Sequence, residues 1–212
     1  MMTVNDYFAY LVEQIHTTVL ATLDERGLPC TCAVDMMDWD EAGVYFLTAR
    51  GKSLYSRLLH CDKVALTGVK GADTLRSAAL SLQGEVRPAD EGCLQRLLEK
   101  NPYMAQIYPT KATQRALAAF QIHRGCGEWF DLSAQPVLRC SFTFGGAQLL
   151  AQGYHITHRC TGCGRCLAAC PQGCIDLSGG SATIMQAHCL HCGNCYTLCP
   201  AGAVIKEEAI EK

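Results

Sequence analysis

Eight of the fifteen cysteines in this 212-residue chain lie in two runs with the same spacing. Each run has the form C-x2-C-x2-C-x3-C-P: CTGCGRCLAACP begins at Cys160, and CLHCGNCYTLCP begins at Cys189. The second run repeats the first at an offset of 29 residues, and Gly164 in the first run corresponds to Gly193 in the second. Such internal repetition predicts two copies of one small unit, packed around a pseudo-twofold axis.

This spacing indicates metal–sulfur sites rather than disulfides. The N-terminus has Asp6 and Glu13 where a signal peptide would carry positive charge, so we expect a cytoplasmic location, where disulfides are rare. Zinc ribbons are the alternative, but they usually use two C-x2-C pairs separated by a longer spacer. Four thiolates in a C-x2-C-x2-C-x3-C-P run are typical of [4Fe-4S] clusters, and the fourth thiolate of each run binds the cluster of the other run. The predicted ligands are Cys160, Cys163, Cys166 and Cys199 for cluster one, and Cys189, Cys192, Cys195 and Cys170 for cluster two.

Residues 154–206 resemble the bacterial ferredoxin domain that binds two [4Fe-4S] clusters. The resemblance includes YHITHRC before the first run and the IDL…GGSATIM hairpin between the runs. It implies a relay of single electrons at low potential, about −400 mV in plant-type ferredoxins. Cys174 stands where the second copy has Ala203, and we interpret it as a buried packing residue rather than a ninth ligand.

Residues 1–145 have a different pattern, which predicts a second domain ending near Gly145. Five β-rich runs follow one another: TTVLATLD, PCTCAVDMM, GVYFLTA, KVALTGV and AALSLQGEV. EWFDLS and VLRCSFTFG add two more strands, and the helix candidates are VNDYFAYLVEQI, GKSLYSRLLHC, DEGCLQRLLEKN and TKATQRALAAF. We expect Asn5 or Asp6 to cap the first helix and Asp90 to cap the third, and we interpret Asp38 and Asp40 as solvated turn residues. The pattern favours an antiparallel barrel with peripheral helices, so the predicted fold class is α+β, with a barrel over 1–145 and a cluster domain over 146–212.

One stretch of the first segment has the composition of a phosphate site. A strand that ends at Thr48 leads to the start of a helix, where two cations, hydroxyls and free helix N–H groups come together. The side chains that would bind phosphate are Thr48, Arg50, Lys52 and Ser53.

The order of these elements resembles the FMN-binding split barrel of the pyridoxamine 5′-phosphate oxidase-like superfamily. The resemblance implies an FMN at a homodimer interface, with its phosphate on the four residues just named. It places the isoalloxazine ring beside Val34 and Asp35, and it implies that Gln83 completes the site from the partner subunit. The second strand reads CAVDMM and lacks the oxidase's basic residues, and the oxidase's C-terminal substrate-binding segment is also missing. We therefore do not expect oxidation of pyridoxamine phosphate.

Together the two segments predict an FMN-dependent, iron–sulfur oxidoreductase that relays electrons between two [4Fe-4S] clusters and FMN and reduces a small-molecule acceptor. The expected redox partner is another redox protein or that small-molecule acceptor. Flavin suits this task because it exchanges either one or two electrons. An electron carrier without flavin, whose barrel serves in docking or dimerisation, is the alternative, and haem or deazaflavin could also occupy the barrel. The net charge of −2 and the lack of a long apolar run argue against nucleic acid and membrane partners. The sequence identifies no catalytic residue.

Overall fold

A computed structural model describes residues 2–149 and 152–207. The chain divides into two compact units. The first consists of the described part of Met1–Gly71, with Ala79–Trp129 and Ser141–Gln148. The second consists of Ala72–Ala78, Phe130–Cys140 and the described part of Leu149–Lys212. Two short internal segments therefore belong to the same unit as the cysteine runs, and Val137 N donates to Gln172 Oε1 at 3.1 Å within it.

The first unit is built on a closed antiparallel barrel of six strands, as the sequence predicts. The barrel strands are β1 (Thr17–Leu23), β2 (Pro29–Asp40), β3 (Gly43–Ala49), β4 (Lys63–Gly71), β5 (Ser77–Pro88) and β6 (Leu117–Asp131). The strand order is β3-β2-β1-β4-β5-β6, and an additional pairing of β3 with β6 closes the barrel. A further strand, β7 (Leu138–Phe144), pairs with β6.

The barrel interior is filled by side chains from alternate strand positions. On β1, Leu20 is fully buried whereas its neighbour Val19 is half exposed, as expected when successive side chains point to opposite faces. Phe46 of β3 and Phe120 of β6 are also fully buried, and their rings stack with centroids 5.8 Å apart. This stacking packs the two strands that close the barrel against each other.

Five short helices accompany the barrel. They are α1 (Val4–Ala9), α2 (Ser53–His60), α3 (Glu91–Lys100), α4 (Met104–Ile107) and α5 (Lys111–Gln114). A π-helical turn, Tyr10–Ile15, continues α1. Asp90 caps α3, which confirms that prediction, but the predicted cap of α1 is wrong. Thr3 caps α1 because its hydroxyl accepts from Asp6 N while the Asp6 carboxylate accepts from Thr3 N, which is a capping box.

Two further predictions for this unit are wrong. The predicted helix TKATQRALAAF is helical only over α5, because its last four residues pair with β3, with Ala49 opposite Leu117 and Phe46 opposite Phe120. Barrel closure here outweighs the local helix propensity of alanine and leucine. Asp38 is not a solvated turn residue either: it lies within β2 with its carboxylate buried.

The second unit is small and repetitive. Besides a 3₁₀ turn at Thr74–Arg76, its elements from residue 152 onward are β8 (Gly153–Ile156), α6 (Arg165–Ala169), β9 (Ile175–Asp176), β10 (Thr183–Ile184), a second 3₁₀ turn (Gln186–His188), α7 (Asn194–Thr197) and β11 (Val204–Glu207). β8 pairs with β11, and β9 pairs with β10. Gly164 and Gly193 each precede a helix in the left-handed conformation, with φ of 74° and 80°. A Cβ at Gly193 would lie 2.8 Å from Tyr154 Oη, so any other residue would also have to displace this side chain.

Among residues 2–149 and 152–207, no helix has the length and hydropathy needed to span a bilayer.

Candidate functional site

The eight predicted ligand cysteines surround two cavities in the second unit. We call the first of these thiol cavity one, and its cysteines are Cys160, Cys163, Cys166 and Cys199. Thiol cavity two is lined by Cys189, Cys192, Cys195 and Cys170, and also by Cys174. Each cavity therefore combines the first three cysteines of one run with the fourth cysteine of the other, which is the grouping that the crossed ligand sets require.

The helices explain how one run contributes to two cavities. In the first run, α6 begins at Arg165, so it separates Cys163 from Cys170, which follows its last turn. In the second run, α7 separates Cys192 from Cys199 in the same way. Within the described residues, no three His, Cys, Asp or Glu side chains are close enough together for a single metal ion, and the thiols instead enclose volume. This arrangement fits a cluster of several atoms.

Backbone N–H groups donate to sulfur atoms of both runs. Ala182 N lies 3.4 Å from Cys160 Sγ, and His191 N lies 3.4 Å from Cys189 Sγ. Ala203 N lies 3.3 Å from Cys199 Sγ. Such bonds stabilise negative charge on sulfur, which both a free thiolate and a cluster-bound thiolate carry.

The pKa shifts of the third and fourth cysteines follow the repeat. The backbone N–H of Ala203 lowers the pKa of Cys199. Burial alone would raise the pKa of Cys170, but hydrogen bonds from Cys174 and neighbouring backbone outweigh it, and the net pKa is lowered. Burial raises the pKa of Cys166 and Cys195, which occupy the third position of each run. Cys170 and Cys199, the fourth cysteines, are therefore thiols whose deprotonation the chain itself assists.

Cys174 is buried, as the sequence predicts, but it also contacts a predicted ligand. Its Sγ lies 3.3 Å from Cys170 Sγ, at the wall of thiol cavity two. Burial, followed by the interaction with Cys170, raises the pKa of Cys174 to about 12. The interpretation as a packing residue alone missed this contact, although its spacing four residues after Cys170 was a visible signal.

The predicted phosphate residues lie at the junction of β3 and α2 in the first unit. Thr48 is 4% exposed, and its Oγ1 has no hydrogen-bond partner within the described part of the chain. Lys52 is the N-cap of α2, and its side chain does not cap the first turn. The exposed side chains of Lys52 and Ser53 thus stand at a helix N-terminus, where backbone N–H groups attract anions.

Two arginines lie beside this helix start. The Arg50 guanidinium donates to Tyr55 Oη at 3.0 Å. Arg57 donates through Nη1 to Ser53 Oγ at 3.1 Å and through Nε to Thr22 Oγ1 of β1 at 2.7 Å. The sequence analysis missed Arg57, although its i, i+4 spacing from Ser53 places both on one face of a helix. Arg57 therefore adds a third cation to the four predicted residues.

The residues predicted beside a flavin ring already have partners. The Asp35 carboxylate accepts from Thr17 Oγ1 at 2.7 Å and from Tyr103 Oη at 3.2 Å, and Val34 O accepts from Thr18 Oγ1 at 3.1 Å.

Gln83 lies at a distance from these residues within one subunit. It is exposed on β5, and both β1 and β4 lie between β2 and β5 in the sheet. Three strand spacings correspond to about 14 Å. The structure therefore does not bring Gln83 next to Val34 and Asp35 in a single chain.

Comparison with protein families accounts for both units. The family model described as pyridoxamine 5′-phosphate oxidase matches residues 5–125, more than half of the chain. The chain belongs to the pyridoxamine 5′-phosphate oxidase family. A second model, described as a 4Fe-4S dicluster domain, matches residues 159–203, which contain both cysteine runs. A barrel of this oxidase family is thus joined to a domain of a type that holds two [4Fe-4S] clusters, and the combination indicates a redox function of the iron–sulfur and flavin kind.

Solved structures share the fold of this family barrel. A NimC/NimA family protein from Clostridium acetobutylicum is 18% identical and has a TM-score of 0.50, with 62% of this chain and 88% of that chain covered. A heme binding protein from Mycobacterium smegmatis is 15% identical and has a TM-score of 0.54, with 68% of this chain and 59% of that chain covered. At these identities the similarity extends to the fold alone. A search of curated proteins found no significant match.

Proposed function

We propose that this protein is an iron–sulfur flavoprotein oxidoreductase in which two [4Fe-4S] clusters and an FMN exchange electrons and a small organic molecule is reduced. The clusters would supply single-electron transfer, and the flavin would supply conversion to two-electron chemistry. The observation that carries the proposal is the crossed lining of the two thiol cavities. We assign this chemistry to the cytoplasm, where reducing conditions keep the fifteen cysteines available as thiols.

The chain's own contribution to the clusters is to supply charge stabilisation and exclude water. Cys195 and Cys189 are buried, and the apolar core around them includes Tyr154, Ile175 and Val204. The backbone donors at Ala182, His191 and Ala203 offset the negative charge of four thiolates around each cavity. Both features support cluster binding by the eight predicted cysteines.

Double variants can test the crossed ligand sets. If Cys160 and Cys199 bind the same cluster, the double variant Cys160→Ala with Cys199→Ala should lose about four of about eight irons. Each single variant should lose the same amount. Cys189→Ala with Cys199→Ala should then lose both clusters. Iron and sulfide would be measured in anaerobically purified full-length protein. The reverse pattern, with the second pair costing only one cluster, would show that each run binds its own cluster.

A flavin phosphate on the barrel is supported by the buried hydroxyl of Thr48. Most buried polar groups in folded proteins are paired, so an unpaired one calls for a partner from outside the chain. Thr48 is the second-last residue of β3, and the cations Arg50 and Lys52 and the uncapped N-terminus of α2 follow it within five residues. A phosphate dianion would satisfy the hydroxyl, the helix N–H groups and both cations together.

This site can be tested independently of the clusters. Lys52→Ala combined with Ser53→Ala should release FMN, measured as flavin fluorescence after acid treatment, while the iron content stays unchanged. Lys70→Ala, which changes an exposed lysine on β4, is the matched control and should retain flavin. Parallel loss of iron and flavin would contradict independent sites. A wild-type visible spectrum without flavin would favour the electron carrier, and a sharp Soret band would favour haem, which the Mycobacterium smegmatis neighbour is named for binding.

A homodimer would bring Gln83 to the flavin of the partner subunit. Three uncharged residues lie side by side on the outer face of strands β2, β1 and β4. Val19 of β1 is 50% exposed and lies opposite Ala33 of β2 and Thr67 of β4. Such a face suits a contact between two copies. Light scattering should give twice the 23.0 kDa chain mass, and Val19→Glu should reduce it to one chain. Ile107→Glu, at an exposed position of α4, is the control; an unchanged mass for Val19→Glu would refute this interface.

A further inference from the structure

Thiol cavity two has one more cysteine than a [4Fe-4S] cluster needs. Four cysteines at its wall belong to the predicted ligand set, and Cys174 is the fifth. The Cys174 side chain is almost inaccessible, with 2% exposure, and its Sγ lies 3.3 Å from Cys170 Sγ. The two sulfur atoms are therefore within hydrogen-bonding distance, and the Cys174 side chain is shielded from water.

The backbone holds Cys174 in this position. Its carbonyl oxygen accepts from Met185 N at 2.8 Å. The next residue, Ile175, belongs to β9 and pairs with Ile184 of β10. A hairpin therefore fixes the backbone on one side of Cys174, and on the other side Gly173 N donates to Cys170 O at 3.2 Å.

The internal repeat supplies a built-in comparison. Cys199 occupies the place of Cys170 in the second run, and Ala203 occupies the place of Cys174. Ala203 N donates to Cys199 Sγ at 3.3 Å, and the backbone of Cys174 likewise donates to Cys170. Both fourth cysteines thus receive a backbone hydrogen bond, but only Cys170 also faces a side-chain thiol.

We propose that Cys174 is a positioning residue that donates an S–H···S hydrogen bond to the cluster-bound thiolate of Cys170 and thereby raises the reduction potential of cluster two. A thiol that binds metal is deprotonated and can only accept, so Cys174 must be the donor. Hydrogen bonds to the sulfur atoms of a cluster favour its reduced form, which carries one more negative charge. The potential of cluster two is then higher than it would be without this hydrogen bond, which favours an electron on cluster two. This inference rests on the proposed cluster binding.

Reciprocal variants in the full-length, anaerobically purified protein test the proposal. The readout is a redox titration of both clusters followed by electron paramagnetic resonance, together with iron content. Cys174→Ala should lower one of the two midpoint potentials and leave the other unchanged, with about eight irons per chain retained. Cys174→Ser keeps a donor at this position and should restore part of the shift. Ala203→Cys places a thiol beside Cys199 and should raise the potential of the other cluster.

Three results would overturn the proposal. Unchanged potentials in Cys174→Ala would show that the thiol does not act on the cluster, and equal shifts of both clusters would show a general effect on the fold. Loss of half of the iron would show that Cys174 is itself a ligand. Failure of the proposed function would look different, because wild-type protein would then lack iron and sulfide altogether.

Discussion

Replacing Thr48 with valine should stabilise the flavin-free protein and weaken its binding of FMN. The Thr48 side chain is buried, and its hydroxyl has no partner in the described structure. A buried hydroxyl without a hydrogen bond costs about 1–3 kcal/mol, and valine has nearly the same shape without this group. Removing the hydroxyl should therefore raise the free energy of unfolding of the flavin-free form by about 1 kcal/mol.

The effect on FMN has the opposite sign. If the hydroxyl donates to the phosphate, valine removes a hydrogen bond to a charged group, which is worth about 1.5–3 kcal/mol. Since about 1.4 kcal/mol corresponds to a tenfold change in affinity, the Kd for FMN should rise about 10- to 100-fold. A role in folding alone would leave this Kd unchanged.

Both quantities can be measured on the whole chain. The two tryptophans, Trp39 and Trp129, lie in the first unit, so their fluorescence during urea unfolding reports on the barrel. FMN affinity follows from quenching of flavin fluorescence. Thr18→Val is the matched control: Thr18 is equally buried, but its hydroxyl donates to Val34 O at 3.1 Å, so this variant should lose about 1 kcal/mol. The reasoning is refuted if Thr48→Val destabilises the flavin-free barrel as much as Thr18→Val does.

Two further predictions concern the stability of the barrel. Asp38→Ala should lower the free energy of unfolding by about 2–3 kcal/mol. The Asp38 carboxylate is 5% exposed and lies 3.0 Å from Arg96 Nε and 2.6 Å from Lys100 Nζ. Both cations are partly exposed to water, which limits the loss. The control is Asp62→Ala, since the Asp62 carboxylate is exposed and lies 3.7 Å from Lys63 Nζ. This variant should change the free energy of unfolding by less than about 0.5 kcal/mol in the same urea titration. Equal losses in the Asp38 and Asp62 variants would contradict the role of burial. The free energy of unfolding should also fall from about pH 10 to pH 12. Burial raises the pKa of Tyr45 to about 12 in the folded protein, so the unfolded chain loses the Tyr45 proton at a lower pH than the folded one. Deprotonation therefore favours the unfolded state across this range. In Tyr45→Phe, the free energy of unfolding measured with urea should fall less between pH 9 and pH 11 than in wild type. An equal fall would show that other groups cause the pH dependence.

Several features of this protein could be predicted because they depend on short stretches of chain. The spacing of Cys160, Cys163 and Cys166 is local, since one tight loop must surround a cluster, and it indicates the second domain without knowledge of the fold. Asp90 could be predicted as a cap because capping needs only the next few backbone N–H groups. The β-rich runs likewise predicted the barrel.

The errors arose where residues far apart in the chain meet. Leu117–Phe120 of β6 has the composition of a helix and becomes a strand because β3 needs a partner to close the barrel. Asp38 resembles a surface residue until α3 supplies Arg96 and Lys100 about 60 residues later. No local pattern contains either partner.

The sequence by itself determined that the chain has eight cysteines in two repeated runs and a strand-rich segment before them, because spacing and alternation are properties of neighbouring residues. Only the tertiary structure decided that Cys174 touches Cys170 in the wall of a cavity, that the Thr48 hydroxyl is buried without a partner among the described residues, and that Arg57 joins the start of α2. The physical reason is that contact, burial and hydrogen-bond pairing depend on which distant segments share space, and folding alone brings those segments together.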